Sequence, residues 1–328
     1  MGGETLGASD GMESASDILN RIFSDDGSGS TGAEMADLSM RYQTVHSAHF
    51  PRPDRTRFIA VANQKGGVGK TTTTVNLACA LAEFGAKVLV VDMDPQGNAS
   101  TALGIEHGPG CDSTYDVLEG RLKISEVKVK SPEFENLEVV PSSIDLSGAE
   151  LEVADLPDRN ELLKKALATF FLESPSRYDY IFVDCPPSLG LLVLNAMCSV
   201  NEVLIPVQAE YYALEGLQQL LHTIGLVQEN YNPYLVISTM LITMFDRRTI
   251  LSKEVYDEVK EHYPDIVLNT TIPRSVKISE APSFRKSVIT YDPKGAGAVA
   301  YEEAALEIAE RSAQVLNKIN MKKQGSED

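Results

Sequence analysis

Phe58-Ile59-Ala60-Val61-Ala62-Asn63-Gln64-Lys65-Gly66-Gly67-Val68-Gly69-Lys70-Thr71-Thr72 decides the fold. Its first five residues are an unbroken apolar run, the pattern of a strand covered on both faces. A helix is expected from Thr71 to Phe84, ended by Gly85. A glycine-rich loop between strand and helix lets backbone N–H groups converge on phosphate oxygens, and the helix N-terminus adds a favourable dipole. In such a loop Lys70 reaches the β- and γ-phosphates of a nucleotide, and the Thr71 hydroxyl ligates Mg²⁺.

Working outward, buried strands are expected at 87–92, 180–184 and 203–207, with further candidates at 234–245 and 266–272. Leu214, Leu217, Leu221 and Ile224 recur at helical spacing and read as core, and a last helix is expected over 298–317. Strands alternating with helices over this length imply a P-loop α/β fold, a doubly wound and mostly parallel sheet flanked by helices. Asp92 and Asp94 close the second strand, and Asp184 closes the run Ile181-Phe182-Val183-Asp184. Acids at the carboxyl ends of parallel strands lie at the ligand edge of such a sheet. Asp184 therefore reads as the acid that holds Mg²⁺, with Asp92 supporting the magnesium shell.

Composition limits the alternatives. The chain has 328 residues, a hydrophobic share of 43% and a net charge of -18. No apolar run reaches the roughly 20 residues of a membrane span, and the N-terminus has neither the basic nor the apolar region of a secretory signal. A cytoplasmic location is expected. Cys79, Cys111, Cys185 and Cys198 lack metal-binding spacing and read as structural, reduced residues. Residues 1–55 are rich in Gly, Ser, Asp and Glu and are expected to be largely disordered. Within them Ile18, Leu19, Ile22 and Phe23 could form one apolar helix face, either a fraying helix or a docking segment. The ATPase domain is assigned to 56–320 and a polar tail to 321–328.

The loop departs from the general phosphate-loop pattern in an informative way. Gln64 takes the first glycine position and an extra lysine, Lys65, follows it. Lys65-Gly66-Gly67-Val68-Gly69-Lys70-Thr71-Thr72 resembles the deviant Walker A motif of the ParA/MinD group of ATPases. Asp94-Pro95-Gln96-Gly97-Asn98-Ala99 and 272–282 (IPRSVKISEAP) are similar to ParA-type chromosome and plasmid partition ATPases, Soj-like members included, although Ser275 stands where many relatives carry Asn. The resemblance implies an ATP-dependent homodimer in which Lys65 reaches the partner's nucleotide and Gly66 permits close backbone approach. It implies that Asp94 orients the attacking water and that Pro273 lies near the base. It further implies weak ATP hydrolysis stimulated by DNA and by a ParB-type centromere-binding partner, nonspecific binding to double-stranded DNA, and a nucleoid-associated location.

For DNA, Arg247, Arg248, Arg274 and Lys277 are the candidate phosphate contacts, in a C-terminal third that also carries Arg285, Lys286 and Lys294. The alternative is a MinD-like, membrane-associated cell-division ATPase. It would end in an amphipathic membrane helix, and 317–328 lacks a bulky apolar face, so no membrane partner is expected. Nitrogenase-reductase-like and metabolic-ligase readings lack the cysteine spacing and the substrate pocket they require. The extension before residue 56 has no counterpart in short family members, and a polar or scaffold partner is one candidate for it, its role being open at this point.

Overall fold

The computed structural model describes residues 28–324 except 154, 155, 157, 175 and 212. The apolar segment at 18–23 thus lies outside the described residues. The strands are β1 (Arg57–Val61), β2 (Val88–Asp92), β3 (Val129–Lys130), β4 (Leu137–Val140), β5 (Tyr180–Asp184), β6 (Glu202–Gln208) and β7 (Val236–Thr243). They form a seven-stranded sheet in the order β3-β4-β2-β5-β1-β6-β7, parallel except for the antiparallel β3–β4 edge. Parallel strands need crossovers, and helices supply them on both faces. The longer helices are α1 (Ser28–Ser47), α2 (Lys70–Glu83), α3 (Leu162–Glu173), α4 (Leu191–Ser199), α5 (Ala213–Asn230), α6 (Ile250–His262), α7 (Ala296–Glu310) and α8 (Ser312–Gln324).

The strands build the two cores by alternation. Ile59, Val61, Val88, Val90, Tyr180 and Phe182 point to the face packed by α1, α2 and α7. Ala60, Leu89, Val91, Ile181 and Val183 point to the face packed by α3 to α6. The central strands are buried on both sides, which is why they read as continuous apolar runs rather than as alternating ones.

Three expectations differ from the structure. The 266–272 segment is not a strand: it meets β7 at an isolated Met240–Val267 bridge and through the Ile272 N–H on the Ile242 carbonyl, and a second bridge, Phe245–Pro273, lies just beyond both. Between the bridges, the Glu307 carboxylate takes the Asn269 and Thr270 N–H groups and draws that backbone off the ladder. The last helix is interrupted at Arg311, so α7 and α8 are separate. There the Ile308 carbonyl accepts a bond from the buried Arg57 guanidinium at 2.7 Å. Third, part of the polar extension is ordered on the core. In α1, Val45 is buried, and Arg41 forks onto Glu303 at 2.9 and 2.6 Å. Just after it, the Phe50 ring stacks on Phe84 with centroids 3.8 Å apart. These few anchors supply the apolar and ionic contacts that an average over a Gly- and Ser-rich stretch hides.

At the edge of the sheet opposite the phosphate loop, Arg57 and Glu202 form a fully buried bidentate pair, at 2.9 and 2.6 Å. Removing one partner of such a pair strands a charge in the interior. Arg57→Ala should therefore cost about 3–5 kcal/mol, whereas Arg57→Met with Glu202→Leu should recover most of it. Urea unfolding midpoints of the two variants check this; a single variant as stable as the double would refute the argument.

Candidate functional site

The parallel register fixes the site. Val61 pairs with Asp184, and Asp184 pairs with Asp92, so β1, β5 and β2 end together at one edge. The loop after β1 is held from three sides. Asn63 Nδ2 donates to the Pro206 carbonyl at 2.7 Å, Lys65 N–H donates to Asn63 Oδ1 at 3.0 Å, and Thr243 Oγ1 donates to the Val68 carbonyl at 2.8 Å. Gly67 and Gly69 adopt φ of +75° and +89°, a left-handed backbone that a side chain resists. Gly69 opens α2 with no side-chain cap, so the first N–H groups of the helix face the loop.

Lys70 is buried in this loop, and its Nζ donates to the Lys65 carbonyl at 3.3 Å. Burial lowers its pKa, opposed by the nearby Asp184, Cys185 and Asp94. Asp184 is fully buried and accepts two hydroxyl bonds, from Thr71 Oγ1 at 2.8 Å and from Thr74 Oγ1 at 2.7 Å. Burial, reinforced by neighbouring Asp92, pushes its pKa well above the ordinary carboxylate range. Asp92 is raised as well, through burial. Such a carboxylate between hydroxyls offers hard oxygen donors, the set that suits magnesium.

The other candidate residues separate. Asp94 is buried just beyond β2, where its Oδ1 accepts the Gln96 N–H at 3.0 Å. Asp92 faces inward: Ser100 N–H and Oγ donate to its Oδ2 at 2.8 and 2.7 Å, and Asp94 N–H donates to its Oδ1 at 3.2 Å. Lys65 Nζ stands 3.2 Å from Glu210. Gly66 is exposed, and a Cβ there would meet nothing within 4 Å. Gly69, Thr72 and Thr243 share a cavity of about 270 Å³ with Pro273, Ser275 and Tyr301, beside the loop.

The Phe245–Pro273 bridge brings two basic loops together. Arg247, Arg248 and Arg274 line one cavity of about 510 Å³, whose other wall is α1 with Glu34 and Asp37. Arg248 is 89% exposed yet bidentate to Asp246, at 3.0 and 2.9 Å. Lys277 is not part of that lining; it pairs with Glu280 at 3.0 Å. Sequence reasoning missed Thr74, Ser100, Glu210 and Thr243. Only Thr74 carried a signal, one helical turn after Thr71 in a threonine run; the others come from elements brought together by folding.

A family model described as an AAA domain (AAA_31) matches residues 56–237. The chain is 49% identical over 253 residues to the sporulation initiation inhibitor protein Soj of Bacillus subtilis, covering 77% of this chain and 98% of Soj. The chain belongs to the Soj/ParA family. It is also 47% identical over 255 residues to the chromosome partitioning protein ParA of Caulobacter vibrioides, covering 78% of this chain and 94% of that one. Among solved structures, a cobyrinic acid a,c-diamide synthase from Mycobacterium smegmatis with bound ATP analog and magnesium is 39% identical, with a TM-score of 0.64 over 76% of this chain and 93% of that one. The septum site-determining protein MinD of Pyrococcus horikoshii, complexed with Mg-ADP, is 28% identical, with a TM-score of 0.60 over 78% and 95%. The doubly wound fold expected from the sequence is thus that of the ParA/MinD-type nucleotide-binding proteins.

The orientation of Asp92 makes Ser100 a support of this strand-end carboxylate from behind. Ser100→Ala removes one donor from a buried carboxylate and should cost about 1–3 kcal/mol of stability. A shift of the urea midpoint at constant slope is the expected result; an unchanged midpoint would mean that Asp92 is satisfied by other groups.

Proposed function

We propose that the chain is a DNA-segregation ATPase that dimerises on ATP, binds DNA nonspecifically and is released when a ParB-type partner stimulates hydrolysis. One observation carries this reading. Two lysines share a single phosphate loop: Lys70 is buried against it, while Lys65 rests half-buried on Glu210 and Gly66 lies open. A second lysine that its own chain leaves at the surface suits action on a nucleotide held by another copy. ParA of Caulobacter vibrioides, at 47% identity, is a chromosome partitioning protein by name, which supports the same cargo class.

In this mechanism the N–H groups at the start of α2 and the Lys70 ammonium bind the β- and γ-phosphates. Thr71 and Asp184 would hold Mg²⁺, which neutralises phosphate charge once their mutual hydrogen bond opens. Lys65 leaves Glu210 and reaches across the two-fold axis to the partner's γ-phosphate, stabilising charge that develops during transfer. Asp94, beyond β2, orients the attacking water. Pro273, beside Thr72 and Gly69, borders the space assigned to the base.

DNA phosphates are assigned to Arg247, Arg248, Arg274 and Lys277. A net charge of -18 disfavours binding by one copy. A two-fold dimer brings two basic stripes to one face, and each neutralised phosphate adds about 0.9 to the slope of log affinity against log salt. A nucleoid location in the cytoplasm follows from that binding. No described helix is long and apolar enough to cross a membrane. In α8, Val315 and Ile319 pack against Val236, which removes them from a MinD-like membrane face.

Asp94→Ala is expected to keep ATP binding and to yield a dimer that persists on size-exclusion chromatography, with little hydrolysis; wild-type turnover would remove Asp94 from the water-orienting role. Replacing Arg248, Arg274 and Lys277 together with Glu should abolish ATP-dependent DNA binding and DNA-stimulated turnover while dimerisation persists. Retention of DNA with wild-type salt dependence would place the stripe elsewhere. The reading as a whole is tested by ATPase assays with and without DNA and a candidate ParB peptide, where joint stimulation is expected and its absence refutes partition activity.

A further inference from the structure

Away from the phosphate loop, three helices bring one imidazole and two carboxylates together. His46 in the last turn of α1, Glu83 at the end of α2 and Glu302 in α7 each offer a ligand atom, all within 4.8 Å of one another. Glu302 is the unusual member. It is fully buried, and neither of its carboxylate oxygens has a hydrogen-bond partner. Its Oε2 lies 3.5 Å from His46 Nδ1. The neighbouring cation does not serve it, because Arg41 spends its fork on Glu303. A buried carboxylate without donors is costly unless it is neutralised or coordinates a cation. Burial, with Glu83 and Glu303 nearby, pushes Glu302 up to about 8. The imidazole is held in place: it stacks on Tyr42 with centroids 3.9 Å apart and meets the edge of Phe84 at 5.4 Å.

We propose that His46, Glu83 and Glu302 form a site for a zinc-class divalent cation that staples α1 to the ATPase core. One imidazole nitrogen with two carboxylates suits zinc and its first-row neighbours better than it suits magnesium. Ligands about 2.0–2.2 Å from a tetrahedral zinc stand roughly 3.4 Å apart. His46 Nδ1 and Glu302 are already at that spacing; Nδ1 exchanges its bond to the Tyr42 carbonyl, at 3.1 Å, for the cation, and Glu83, on the exposed side, closes by side-chain rotation. The cation balances the unpaired carboxylate, and an open coordination position takes water. Because α1 also presents Glu34 and Asp37 to the cavity of Arg247, Arg248 and Arg274, occupancy fixes an acidic helix beside the basic loops.

The test uses the full-length chain without an affinity tag, stripped with chelator, in a Cys111→Ser background because Cys111 is exposed. Zn²⁺ is titrated by calorimetry in excess Mg²⁺ without nucleotide, with Co²⁺ absorbance as a second probe. One Zn²⁺ per chain is expected, with affinity falling about tenfold or more in His46→Ala and in Glu302→Gln. Zn²⁺ should also raise the Tm and slow tryptic cleavage at Arg41 in the parent and in neither variant. Glu302→Gln keeps the side-chain shape and removes a buried charge, so it remains informative if His46→Ala fails to fold. Absence of Zn²⁺ binding in the parent, equal binding in Glu302→Gln, or competition by Mg²⁺ at equal concentration would each overturn the proposal.

Discussion

Everything at the ligand edge depends on the in-register parallel pairing of β1, β5 and β2. Because Val61, Asp184 and Asp92 sit at matched positions, three strands release their chains at the same height. One of those chains becomes the phosphate loop and another carries Asp94. A one-residue slip of β5 would turn Asp184 to the opposite face and place Val183 beneath the threonine hydroxyls. The continuous apolar runs of these strands specify burial on both faces but not register. Register is supplied by side chains at the strand ends, among them Arg57 at the start of β1 with Glu202 at the start of β6.

The same pairing sets two buried carboxylates side by side, which is unfavourable in itself. Both acids are raised, with burial the main cause. The fold meets the two differently. Asp92 receives donors from Ser100 and the Asp94 backbone and is committed to the protein. Asp184 receives only two threonine hydroxyls, groups that can rotate and serve as metal ligands in their turn. Two aspartates with the same strand-end position thus have different capacities, and hydrogen-bond accounting separates them where sequence position does not.

The site was legible to the extent that it is local in sequence. Strand, loop and helix from Phe58 to Phe84 lie in one stretch, and glycines at Gly67 and Gly69 announce a backbone that only they tolerate freely. Glu210 and Thr243 were not legible, since each comes from a distant element and each is an ordinary residue in its own context. The 266–272 segment misled because its apolar pattern is that of a strand, yet Glu307 on α7 takes the amides of Asn269 and Thr270 in its middle. The helix at 28–47 was hidden for the opposite reason. Its composition is that of a solvated segment, and its order comes from Val45, Arg41 and the nearby Phe50, which contact residues more than thirty positions away. Tertiary partners decide such cases, and no window of local sequence contains them.

The site residues divide along a related line. Lys70 and Asp184 are explained by contacts inside one chain, whereas Gly66 touches nothing a side chain would disturb and Lys65 rests on a half-exposed glutamate. Glu210 is also approached by Arg274 at 3.7 Å and accepts Gln208 Nε2 at 2.6 Å. A carboxylate shared by three donors holds any one of them weakly, because each competes for the same oxygens and all are open to solvent screening. Lys65 can therefore leave at small cost while Arg274 and Gln208 keep Glu210 satisfied. The Glu210 cluster thus joins the phosphate loop to the basic loop of Arg274, a residue that also lines the arginine cavity facing α1.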